Sequence, residues 1–174
     1  MKRRLIVAVV FFVVSSVIAF VSPVLAVEKS AQTTICVLFD NGVSENLDAR
    51  QAKARTQLAD WMKEDLVRVF ARYAKAGYEA KVIEKRRDFE SQPNNYLLTV
   101  KITEYRAGSK AARAFVGYGA GGVNLKIHYE FFGAEAKAIL NKDDSVFSGR
   151  EWTNAARKLN ENMTKAVIGE LGSE

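Results

Sequence analysis

The sequence predicts an α+β fold. It is a two-layer sandwich in which a mostly antiparallel sheet of four or five strands carries two helices on one face, in the order β-α-β-β-β-β-α. Three observations carry that expectation. Two long segments repeat apolar residues every three or four positions, two others alternate apolar with polar, and a short continuous apolar run precedes them all.

Thr33–Phe39 is the continuous run, ended by the turn residues Asp40-Asn41-Gly42, and suits a strand covered on both faces. Over 46–76 the period changes. Leu47, Ala54, Leu58, Trp61, Met62, Leu66, Val69, Phe70 and Tyr73 form a helical stripe, with Ser44 or Asn46 placed to cap its start and Gly77 to stop it. Tyr78–Lys85 is a weaker strand. After the turn Gln92-Pro93-Asn94-Asn95, Tyr96–Arg106 alternates: Leu98, Val100 and Ile102 face one way, Thr99, Lys101 and Thr103 the other. Val123, Leu125, Ile127, Tyr129 and Phe131 alternate likewise with Asn124, Lys126, His128 and Glu130. Glu135–Leu140 reads as a short strand, and Asn141-Lys142-Asp143-Asp144 as a tight turn into Ser145–Glu151. The last element, Thr153–Leu171, is a second amphipathic helix with Thr153 or Asn154 near its cap. Trp61, Leu66, Phe70, Val100, Ile102, Leu125, Ile127, Leu159 and Met163 are the expected core.

The N-terminus reads as an export signal. Lys2-Arg3-Arg4 precede an apolar stretch from Leu5 to Val21, Ser22-Pro23 end it, and Val24-Leu25-Ala26 supplies small or apolar residues at a cleavage site. Residues 1–26 are thus expected to be a signal peptide cleaved after Ala26, and 27–174 a single α+β domain in the periplasm. An uncleaved anchor is the competing reading, since the stretch approaches spanning length. The leader holds three of the 26 basic residues and none of the 20 acidic ones, so the remaining 148 residues carry a net charge of +3. That weak charge, together with export, argues against a nucleic-acid partner. Cys36 has no second cysteine to pair with and lies in the apolar run, where a buried inert thiol is expected.

Gly117-Tyr118-Gly119-Ala120-Gly121-Gly122 contains the spacing G-x-G-x-x-G. A dinucleotide fingerprint must open a helix, so that the helix N-terminus meets the pyrophosphate; these glycines open a strand. Two readings remain. Gly117, Gly119 and Gly121 either serve backbone conformation alone, the favoured reading, or form an anion-binding nest beside Arg106, Lys110 and Arg113. His128, the single histidine, belongs to the wet face of its strand and lacks co-ligands for a metal. Asp143/Asp144 and Glu64/Asp65 do not form the separated carboxylate pair of acid–base hydrolysis. There is no G-x-S-x-G nucleophile turn. Lys81, Lys85, Arg86 and Arg87 form a basic cluster that reads as a solvated face. No catalytic, cofactor-binding or metal-binding residue is assigned, and no cofactor is expected.

Arg113-Ala114-Phe115-Val116-Gly117-Tyr118-Gly119-Ala120-Gly121, running into an alternating strand, resembles a bacterial envelope family known as domain of unknown function 4410. The resemblance covers about residues 33–171. It implies an early strand, a long helix, a central G-x-G-A-G segment leading into a strand pair, and a closing helix. It brings no catalytic residues, and this chain lacks the lipid-attachment cysteine of many such proteins. The expected function is an exported, non-enzymatic binding or accessory protein whose partner is another envelope protein or an anionic envelope component. Contact with the membrane is expected only peripherally or through an uncleaved signal. A structural subunit of an envelope assembly is the alternative, and an enzyme of unfamiliar type the third reading.

Overall fold

The computed structural model describes residues 32–43, 47–108, 121–134, 137–149 and 151–172. The leader and the cleavage site therefore lie outside the described residues. The elements are β1 (Thr33–Asp40), α1 (Ala49–Ala71), β2 (Tyr78–Ile83), β3 (Asn95–Arg106), β4 (Val123–Phe132), β5 (Ala138–Ser148) and α2 (Trp152–Leu171). Short 3-10 turns follow α1 at Ala74–Ala76 and β2 at Arg86–Asp88.

The five strands form one sheet in the spatial order β2-β1-β3-β4-β5. That sheet is mixed, which corrects the mostly antiparallel expectation. β1 pairs in parallel with both β2 and β3, whereas β3–β4 and β4–β5 are antiparallel. The reason lies in the connections. α1 carries the chain from the end of β1 back to the start of β2, and the segment after β2 carries it back again to the start of β3. The strand flanked by two parallel neighbours is the one with the continuous apolar run, as burial on both faces demands.

Both helices lie on one face, packed on each other, with α1 over β2 and α2 over β4 and β5. The main core lies between these layers. It contains Ile35, Val37, Leu66, Phe70, Val100, Ile102, Leu125, Ile127, Leu159 and Met163, all at most 1% exposed. Trp61 departs from its expected place. It packs at the core's edge, its ring edge-on to Trp152 at 5.6 Å and the Arg157 guanidinium 5.7 Å away. An indole at the layer's rim buries its body while one side stays wet.

Three boundaries also differ. α1 is capped by Asp48, whose carboxylate accepts from the Gln51 amide at 2.8 Å; Ser44 and Asn46 lie outside the described residues. The helix ends at Ala71, and Gly77, in left-handed conformation (φ 87°), closes the 3-10 turn that follows. α2 starts at Trp152, with Glu151 at its N-cap and without a side-chain capping bond, so Thr153 and Asn154 lie in its first turn.

The largest local correction is β5. Asn141–Asp144 is no turn but the middle of an 11-residue strand. Its polar side chains find partners on both sides of the sheet: Asn141 donates to Glu130 at 3.0 Å, and the Asp144 carboxylate accepts from Asn162 on α2 at 3.1 Å. A polar run on a half-covered edge strand has turn composition without turn geometry.

Candidate functional site

The sheet face away from the helices divides in two. Near β1 and β2 it is apolar: Cys36, Ile83, Leu97 and Phe132 are buried there, with Phe89 packed against them and the Arg86 guanidinium 4.9 Å from the Phe132 ring. Burial raises the Cys36 thiol above its ordinary pKa, so it stays protonated and inert. Arg86, one of the sequence's basic cluster, thus covers an apolar surface.

The other part of that face is polar. Register places Lys101 opposite His128, and His128 opposite Asp143. A β-bulge between Ile102 and Glu104 aims Glu104 onto the same surface. Glu104 is the hub: Lys126 reaches it at 2.8 Å, Asn124 donates to it at 2.8 Å, and Arg106 lies at 3.2 Å. The hydrogen bond from Lys126 and the surrounding cations hold its carboxyl below the ordinary carboxylate value. His128 Nδ1 lies 3.0 Å from the Asp143 carboxylate, so the histidine faces solvent beside an acid, as alternation predicts. Among the described residues no three of His, Cys, Asp and Glu gather as a metal set.

Of the residues singled out from the glycine segment, Gly117, Gly119, Lys110 and Arg113 lie outside the described residues. Arg106 ends β3 and is tied to Glu104. Gly121 has φ +67°, and Gly108, at the other end of the same connection, has φ +71°. A side chain on Gly108 would collide with the Gly121 carbonyl, so the two ends of the connection touch backbone to backbone.

Sequence reasoning missed a cavity. Where the start of α1 meets the end of β3, Leu47, Gln51, Ala54 and Arg55 face Glu104, Tyr105, Arg106 and Ala107 across a space of about 370 Å³. Arg55 is partly buried, and one of its terminal nitrogens, Nη1, donates to the Gly42 carbonyl at 2.8 Å and to the Ile102 carbonyl at 3.3 Å. The second of these sits at the bulge, so one guanidinium ties the turn after β1 to the kink in β3. Tyr105 is partly buried, and desolvation raises its phenol above an ordinary value that already leaves it protonated at neutral pH. In the sequence Arg55 is one cation among many on a helix; no spacing rule distinguishes it.

A family model described as "Domain of unknown function (DUF4410)" matches residues 40–144, more than half the chain. No curated protein matches. Similar solved structures include two PelC dodecamers from Paraburkholderia phytofirmans. One, a point variant, is 12% identical with a TM-score of 0.49, covering 76% of this chain and 85% of its own. The other is 11% identical with a TM-score of 0.45, covering 75% and 86%.

Proposed function

The chain belongs to the family described as Domain of unknown function (DUF4410), and we propose that it is an exported, non-enzymatic binding or accessory protein of the bacterial envelope, working in the periplasm. The single observation behind the binding role is the uneven dressing of the sheet. Two helices seal one face, while the polar half of the other presents aligned side chains to solvent: Lys101 is 57% exposed, Lys126 49% and Asp143 84%. Paired charges on a rigid sheet suit recognition of a polar partner surface, because strands hold their side chains at fixed spacing. The leader-like residues 1–26 support export, with cleavage after Ala26.

Two experiments test this reading. The 27–174 protein, immobilised and exposed to envelope extract, is expected to retain a specific partner that a Lys101→Glu/Lys126→Glu variant does not. Equal retention by both removes the sheet face from the role. Mass spectrometry of protein recovered from cells is expected to find an N-terminus at Val27; an intact Met1 in the membrane fraction would instead mark an anchor.

A second reading, subunit of an envelope assembly, is favoured by β5. This strand lies at the sheet's edge and carries Ile139 and Phe147, 40% and 63% exposed. An edge strand that carries exposed apolar side chains is a template for strand addition. Light scattering of a strictly monomeric protein at high concentration would argue against a homomeric assembly.

A further inference from the structure

We infer that the cavity between the start of α1 and the end of β3 binds a small organic carboxylate, with Arg55 as its anchor. The inference rests on the binding-module reading above and names the ligand class.

Size comes first. About 370 Å³ falls within the roughly 300–1,000 Å³ usual for small-molecule sites. The walls mix apolar groups, Leu47, Ala54 and Ala107, with the polar groups of Arg55 and Tyr105. Such walls fit a compact apolar body bearing a charged end.

Charge comes second. Nη1 of Arg55 is occupied by two backbone carbonyls, which leaves the donors on Nε and Nη2. No carboxylate among the described residues pairs with Arg55, although the group is partly buried. The one acid among the described residues of the wall, Glu104, is engaged by Lys126, Arg106 and Asn124. A partly desolvated guanidinium without a counter-charge among the described residues favours an anion at its free edge, and the two carbonyl bonds already orient its plane. Tyr105, a phenol protonated at neutral pH with or without burial, lines the same wall. A dianionic phosphate would suffer more from the nearby Glu104 carboxylate than a singly charged carboxylate does, so the monoanion is the better match.

The probe is benzoate, with benzamide as its neutral counterpart of nearly equal shape. Both are titrated into isotope-labelled 27–174 protein to about 10 mM, a range suited to a fragment of this size. Saturable amide shifts from benzoate are expected at Gln51, Ala54, Arg55 and Ala107, with benzamide ~10-fold weaker or worse. Arg55→Gln is expected to weaken benzoate by a similar ~10-fold while leaving benzamide within about 2-fold. Because Arg55 also holds two backbone carbonyls, Ala107→Trp provides a variant that fills the cavity from its exposed rim and should abolish the shifts. Equal binding of benzoate and benzamide, shifts scattered over the basic surface, or full binding by Ala107→Trp would each overturn the inference. If benzoate fails at this site while the protein still retains its envelope partner, the cavity inference falls and the binding-module reading stands.

Discussion

Asn160, fully buried on α2, donates its side-chain amide to the Asp65 carboxylate on α1 at 3.0 Å, and the same nitrogen reaches the Met62 carbonyl at 3.1 Å. This pair is the polar seam between the two helices. Asp65 is 4% exposed, and its one cation among the described residues, Arg157, stands 3.7 Å off and is itself half exposed. Replacing Asn160 by Leu leaves a buried carboxylate short of a partner, and urea unfolding should show a loss of about 2–4 kcal/mol. The double variant Asp65→Leu/Asn160→Leu should recover most of that loss. A double variant as unstable as the sum of its singles would mean that the two residues act independently.

Gly108 and Gly121 form the second prediction. Both have positive φ, and Gly108 has the Gly121 carbonyl where a Cβ would stand. Gly108→Ala should therefore cost more than the ~1 kcal/mol of backbone strain alone, and Gly121→Ala about that amount. Thermal melts that leave both variants unchanged would contradict the close approach.

Tyr129 carries the third. It is 1% exposed, and its hydroxyl is one of three buried polar atoms without a partner among the described residues, beside Asn160 Oδ1 and Thr164 Oγ1. Burial first, and the Asp144 carboxylate second, push its phenol up to about 12 from an ordinary 10. The protonated form is thus the one the fold prefers. Its contribution is intact below pH 10 and disappears as pH rises from 10 towards 12. Tyr129→Phe should leave stability at pH 7 within about 1 kcal/mol of the parent, because the hydroxyl it removes is unsatisfied. The same change should flatten the alkaline limb, and an unchanged limb would point to another group.

Glu104 titrates in the opposite sense. Lys126 and its neighbours depress its pKa below the ordinary 4.5, so the ionised form stabilises the fold. That contribution is complete above 4.5 and is lost as pH falls through the lower folded value. The stability difference between the parent and Glu104→Gln should accordingly be largest near neutrality and shrink on acidification. A difference independent of pH would mean that packing rather than charge holds the bulge.

Much of this molecule is legible one residue at a time. The period of three to four puts Leu58, Met62, Leu66 and Phe70 on one stripe, and all four are buried. Alternation puts Leu125, Ile127 and Tyr129 inside and leaves Lys126 and His128 outside. Such patterns survive because helix and strand geometry repeat locally, whatever the partner. The same local reasoning failed at Asn141–Asp144, where turn-forming residues are held extended by Glu130, His128 and Asn162.

What the sequence alone determined, then, was which segments other than β5 are helix or strand and which of their faces are apolar, since both follow from periodicity within a dozen residues. It also identified the family, through one glycine-rich segment running into an alternating strand. Tertiary structure decided the rest. Parallel pairing on both sides of β1 depends on where α1 and the segment after β2 return the chain. Arg55 becomes distinctive only when Gly42 and Ile102, 13 and 47 positions away, bring their carbonyls to one guanidinium. Asp65 meets Asn160 across 95 positions, because two helices lie side by side on one sheet. Contacts of that span leave no periodic trace in the chain, so they become visible only in the folded molecule.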